Sequence, residues 1–194
     1  MVAVVFGIPG VGKSTIVNAV KEKLELTYVH PGNIMYEIAH ERGLVDEVDQ
    51  MRKLKLNVQH EIQTEMARRV GEMINTRPHE NFIIDTHAIV KTPQGFFPGL
   101  RNAFFDAVHP DIYFVVEADP NDIIERRKSD TSRVRNDDHN LNEILLHIDL
   151  TRDYAATYSI YSQANLGVID NKHGDVKYAI DEMLGIITRF METM

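Results

Sequence analysis

Within Gly7-Ile8-Pro9-Gly10-Val11-Gly12-Lys13-Ser14-Thr15, the first eight residues fit the pattern G-x-x-x-x-G-K-[ST] at every required position. The chemistry such a loop performs is phosphate binding. Its three glycines let the backbone turn its N–H groups inward around phosphate oxygens, and a helix starting at Ser14 adds the partial positive charge of its N-terminus. Lys13 would then bridge the β- and γ-phosphates, and Ser14 would ligate Mg²⁺. A glycine-rich turn with no ligand is the plainer alternative. The apolar run before the loop, the helical pattern after it and the Lys-Ser pair argue against that. The loop alone leaves GTPase, ATPase and small-molecule kinase open.

Charged residues elsewhere narrow the choice. Asp85 closes the apolar run Phe82-Ile83-Ile84-Asp85, where a strand end would present an acid that holds Mg²⁺ through water. Its alternative is to cap the next loop through backbone hydrogen bonds. Arg126 to Arg135 reads Arg-Arg-Lys-Ser-Asp-Thr-Ser-Arg-Val-Arg, net +4 in a chain whose formal charge is -8. Seen alone, such a run is often a solvated helix end. A phosphate loop, however, needs cations where charge spreads over a transferring phosphoryl group, and arginine's planar fork suits this better than lysine. Arg133 and Arg135 would point in similar directions in an extended or turn conformation. Ser129 to Asn140, with Val134 as its one apolar residue, reads as a mobile flap over a nucleotide. A flap of arginines suits a kinase better than a switch GTPase. No general base stands out, and a nucleoside monophosphate, whose acceptor oxygen is already anionic, would need none.

These groups have to be positioned by strands and helices. Short apolar runs predict buried strands at Val2 to Phe6, Phe82 to Asp85, Ile112 to Val116 and Gly167 to Ile169, with a weaker one at Thr27 to His30. Helical spacing recurs over Ser14 to Leu24, Leu56 to Ile74, Leu141 to about Ile160 and about Val176 to Met191. In the third of these, Leu141, Leu145, Ile148, Arg152 and Ala156 form a stripe, which puts Arg152 among apolar neighbours. There it must either reach water at the stripe's edge or meet an anion, since an unpaired buried charge costs too much. The order of elements predicts an α/β fold, a parallel sheet of five strands with helices on both faces.

Composition bounds the rest. The 194 residues, 43% hydrophobic and 26% charged, suit one globular domain. The acidic balance disfavours nucleic acid and anionic lipid as partners. The absence of cysteine excludes disulfides and thiol catalysis. The opening apolar run reaches glycine too soon for a signal peptide or membrane span, so the expectation is a cytoplasmic protein with no membrane partner.

Gly7 to Thr15, the block Asp85-Thr86-His87-Ala88 continuing through Thr92-Pro93-Gln94-Gly95-Phe96-Phe97-Pro98-Gly99-Leu100, and Arg126 to Asp137 together resemble the archaeal-type adenylate kinases. Met51-Arg52-Lys53-Leu54 and Arg152-Asp153-Tyr154-Ala155-Ala156 match as well. The resemblance runs through nearly the whole chain, and the middle block is its most specific part. It implies a three-layer P-loop kinase fold with a monophosphate-binding flap around residues 30 to 70 and a short lid near 128 to 138. It further implies ATP and AMP as substrates, Mg²⁺ as cofactor and commonly a trimer. Carried over, Lys13 and the loop amides hold ATP phosphates and Arg126 lies near the adenine or ribose. Arg133, Arg135 and Arg152 neutralise the transferring phosphoryl group and the AMP phosphate, while Arg52 or Lys91 touches AMP. The chain departs from its relatives at Asn33, usually aspartate, at Tyr36, where bacterial relatives place arginine, at Arg101, usually proline, and at Ser129, often basic.

Other candidates carry less. No two of the nine histidines lie three to five residues apart, which leaves structural zinc with little support. His87 is a candidate for orienting substrate or for an ordinary hydrogen bond. Phe96-Phe97 and Phe104-Phe105 are candidates for an adenine pocket, though core is the commoner use. Asn171 to Gly174 either contacts the ATP base or forms a surface turn, and Met66 and Met73 fill packing gaps. Two other readings remain beside adenylate kinase: a kinase for another nucleoside monophosphate, and a nucleotide-driven assembly factor with a similar core.

Overall fold

Strict alternation along Val2–Phe6 (β1) sends Val2, Val4 and Phe6 to one face of a sheet and Ala3 and Val5 to the other, and each side is buried in its own apolar cluster. Both faces must therefore be covered. The computed structural model describes residues 1–92, 95–129, 140–172 and 174–193, and all of their side chains but that of Arg52. After β1 come Lys13–Lys23 (α1), Thr27–Val29 (β2), Pro31–Glu41 (α2), a short 3₁₀ turn Val48–Lys53, Leu56–Asn75 (α3) and Phe82–Asp85 (β3). There follow Ile89–Thr92 (β4), Gly95–Pro98 (β5), Asn102–Val108 (α4), Ile112–Glu117 (β6), Pro120–Ser129 (α5), Leu141–Ser162 (α6), Asn165–Asp170 (β7) and Val176–Glu192 (α7).

Five strands form one parallel sheet in the order β2-β3-β1-β6-β7. Helices α2, α3 and α4, with Ala155 and Tyr158 of α6, pack on one face. Helices α1, α5 and α7, with Ile144 and Ile148 of α6, pack on the other. The three-layer α/β architecture expected from the element order is present. Because α1 leaves β1 on one face while α4 leaves β3 on the opposite face, the chain opens a crevice between the carboxyl ends of these two paired strands. Open α/β sheets bind ligands at such a point.

The strands and long helices expected from sequence are where the patterns put them, with small shifts: α1 begins at Lys13 and β7 extends over Asn165–Asp170. The stripe drawn through Leu141 and Leu145 is a correction. Both residues are exposed, and the face of α6 that turns inward carries Ile144, Ile148, Thr151, Ala155 and Tyr158. Arg152 lies beside that face, exposed, and not within it. The elements the periodicity missed are short ones. Helices α2 and α5 begin at Pro31 and Pro120, whose fixed φ suits a first helical position. Strands β4 and β5 pair antiparallel outside the main sheet, with Ile89 opposite Pro98. Of the expected lid, residues 130–139 lie outside the described residues.

Candidate active site

The loop after β1 is the centre of the site, and its shape follows from two glycines. Gly10 and Gly12 hold φ of 92° and 87°, backbone that a side chain would strain. A Cβ on Gly12 would also run into the Asn171 amide nitrogen. The loop is held from outside through its carbonyls. Val11 O accepts from Asn171 Nδ2 at 2.7 Å and from Arg126 Nη1 at 3.2 Å, and Pro9 O accepts from Arg127 Nε at 2.8 Å. Holding these carbonyls from outside fixes the loop in one shape, and a glycine-rich turn of this kind can bind an anion through its N–H groups, as a nest does. Gly7, Ile8, Pro9, Gly10, Val11, Gly12, Lys13, Ser14 and Thr15 thus form the expected turn between a buried strand and a helix N-terminus.

Lys13, the first residue of α1, is buried and its ammonium meets the Asp85 carboxylate. Burial pulls the Lys13 ammonium down to about 8. Asp85 stands at the end of β3, opposite Val5 in the sheet register, and the Tyr28 hydroxyl donates to its Oδ2 at 3.2 Å. Ser14 is exposed one residue along the helix. A hydroxyl and a carboxylate at the edge of a phosphate loop make an all-oxygen donor set, which suits Mg²⁺ sharing its shell with water and phosphates. Among the described residues no group of three or more acidic or histidine side chains gathers to hold a metal alone.

Arg126 of α5 lies against the back of the loop, where its Nη2 also donates to Asn171 O at 3.4 Å. Arg152 reaches the same carboxyl edge from α6 and forks onto Glu117, the last residue of β6, through Nε–Oε1 at 2.8 Å and Nη2–Oε2 at 2.6 Å. Hydrogen bonding to Glu117 raises the Arg152 pKa further, so it is cationic at any working pH. Arg133 and Arg135 lie outside the described residues, as does the side chain of Arg52. Lys91, on β4, pairs with Glu143 of α6 at 2.6 Å. Phe104 and Phe105 are core residues, and Phe105 borders a cleft at the far, amino edge of the sheet, away from the loop. Phe96 and Phe97 lean on His147 and His60. Sequence reasoning missed Glu117, Arg127 and the side chain of Asn171. Strand ends at the carboxyl edge were the available signal for Glu117 and Asn171. Arg127 was hidden within a run that looked uniformly solvated, yet it is buried.

A cleft of about 520 Å³ between the ends of α4 and α6 is lined by Phe105, His109, Asp111 and Asn165 at the opposite, amino edge of the sheet. A smaller one of about 400 Å³ at the carboxyl edge includes Glu117, Asp119, Asp170 and Lys172. The chemistry follows the loop and the strand ends.

Residues 6–145 match the AAA domain family. Over 96% of its length the chain is 36% identical to an adenylate kinase of Thermoplasma volcanium, covering 99% of that protein. It is 38% identical to one of Methanothermobacter thermautotrophicus, covering 96% of this chain and 98% of that one. Among solved structures, a gluconokinase from Sinorhizobium meliloti is similar in fold, with a TM-score of 0.57, 12% identity, and coverage of 98% of this chain and 93% of that one.

Proposed function

The chain belongs to the adenylate kinases, phosphotransferases by name, and on that premise we propose that it transfers the γ-phosphoryl group of ATP to AMP, reversibly and with Mg²⁺, giving two ADP in adenine nucleotide homeostasis. The observation that carries the reading is the convergence at one sheet edge of the loop, the Lys13–Asp85 pair and the forked Arg152.

In this reading the loop amides and Lys13 hold the ATP phosphates, and Arg126 stays beside the nucleoside end. Ser14 and Asp85 would hold the metal, which would supply charge neutralisation for the phosphates. Lys13 then exchanges its carboxylate partner for phosphate oxygens, so one cation serves both states. Arg152, with Arg133 and Arg135 from the basic segment, neutralises the transferring group and the AMP phosphate. Arg52 or Lys91 contacts AMP from the side of residues 30 to 70. The acceptor oxygen is anionic, so no side chain has to remove a proton, and catalysis reduces to alignment, charge and exclusion of water.

The proposal extends to the cytoplasm as workplace and to a homotrimer as assembly. Exposed apolar side chains at Ile160 and Tyr161 of α6 and at Leu166 and Val168 of the edge strand β7 support self-association. Among the described residues no helix is long and apolar enough to cross a membrane. A coupled assay comparing AMP, CMP, UMP and GMP as acceptors tests the function. AMP should give the highest kcat/KM, and a preference for another monophosphate would move the assignment to that nucleotide. ATP hydrolysis indifferent to every monophosphate would favour an assembly factor instead.

A further inference from the structure

We propose that Glu117 is a positioning residue for phosphoryl transfer, a carboxylate that aims the Arg152 fork at the phosphate site. The inference rests on the adenylate kinase reading and adds a residue to its machinery. Glu117 is the last residue of β6, and its backbone is stitched to the loop: its carbonyl accepts from Asn171 N at 2.8 Å, while the Asn171 side chain holds Val11 O. The preceding carbonyl, Val116 O, stands 3.0 Å from where a Cβ on Gly7 would lie. Glu117 is therefore anchored in the frame of the phosphate loop, while Arg152 comes from α6, a helix that packs against β6.

The pair uses one edge of the guanidinium. Nε and Nη2 bond the two carboxylate oxygens, and Nη1 makes no hydrogen bond among the described residues, its nearest acid being Asp149 at 3.9 Å. A guanidinium has five N–H donors in a rigid plane. With one edge taken by Glu117, the other edge, Nη1 and the second proton of Nη2, is left with the geometry that grips two phosphoryl oxygens. The two partners differ in exposure in the sense this role needs: the Arg152 side chain is 48% exposed and Glu117 15%. An arginine that exposed would sample many rotamers, and each would have to be given up as the phosphoryl group transfers. The less exposed carboxylate fixes one rotamer beforehand, which is preorganisation. Because Glu117 also cancels the charge of Arg152 in the unliganded enzyme, it adds little to ground-state affinity for a phosphate.

The test is a double-mutant cycle read in kcat and KM, with the melting temperature as a folding control. Glu117→Gln should lower kcat about tenfold while KM for ATP and for AMP stays within about threefold, and Glu117→Asp should recover part of the loss. Combining Glu117→Gln with Arg152→Ala should be no slower than Arg152→Ala alone within about twofold, since the carboxylate acts through that arginine. Wild-type turnover in Glu117→Gln, or losses that multiply in the double variant, overturn the inference. Should Glu117→Gln fail to fold, Arg152→Lys replaces it: this keeps the charge and loses the fork, and an undiminished kcat there also overturns it. A wild-type protein that makes no ADP from ATP and AMP removes the reaction and the inference together, whereas an active wild type with an indifferent Glu117→Gln removes the inference alone.

Discussion

Lys13 sits where the loop meets Asp85, and its ionisation is the most direct handle on the proposed site. In the free enzyme burial pulls it down to about 8, so it carries charge below that pH and loses it above. Since kcat/KM reports the free enzyme, its value for ATP should fall as pH rises through about 8, whereas kcat, measured with phosphates around the ammonium, should hold to higher pH. A kcat/KM that stays flat from about pH 7 to about pH 9.5 would contradict this. Lys13→Ala should lose turnover by about a thousandfold or more, about 4 kcal/mol at the transition state, with its circular dichroism unchanged. Arg152→Ala should lose at least about tenfold, about 1.4 kcal/mol; an unchanged rate would make its pairing with Glu117 a surface ion pair and nothing more. Lys13, Ser14 and Asp85 were legible because loop, helix start and strand end are local patterns. Glu117 was not: it closes an apolar run just as Asp85 does, but no phosphate-loop lysine marks it, and its partner Arg152 lies 35 residues away on a helix.

At the scale of elements, the hairpin of β4 and β5 shows how the site's surroundings are fastened. The hairpin is pinched at its base: Gly99 N donates to Ala88 O at 2.8 Å, and the buried Tyr158 hydroxyl of α6 donates to the same oxygen at 2.9 Å. Gln63 of α3 reaches Pro98 O and Gly99 O from the other side, each at 3.3 Å. Tyr158→Phe removes the hydroxyl but leaves Ala88 O bonded to Gly99, so the expected cost is about 1 kcal/mol, a fall in melting temperature of about 2–4 °C. Gly99→Ala should cost more, about 2 kcal/mol, because its Cβ would run into the His87 carbonyl oxygen. A thermal melt of both variants checks the order. The most family-specific block of the sequence forms this hairpin, yet no period announced it. Strands of four residues, with Gly99 and Pro98 at one end, carry too few alternations to register. The misplaced stripe on α6 has a related cause. Leu141, Leu145, Ile144 and Ile148 are apolar on adjoining faces of the helix, so spacing alone could not say which of them turns inward.

For the whole molecule, the five-stranded order places the loop beside β3 and β6, and hence beside Asp85 and Glu117. Light scattering coupled to gel filtration should return about three times the 22.2 kDa chain mass; a monomer at micromolar concentration would refute the proposed trimer. The amino-acid order was enough to establish a glycine-rich loop of phosphate-binding pattern between a strand and a helix, an acid at the end of a second strand, an α/β layering and a family. Each of these is written in residues close together, where backbone φ limits, two-residue alternation and helical spacing act. The folded chain was needed to bring Arg152 onto Glu117, to set Arg127 and Asn171 behind the loop and to seat the hairpin on Tyr158. Those partners lie tens to more than a hundred residues apart, and their meeting depends on crossover connections and on which helix face is buried, neither of which any local pattern contains.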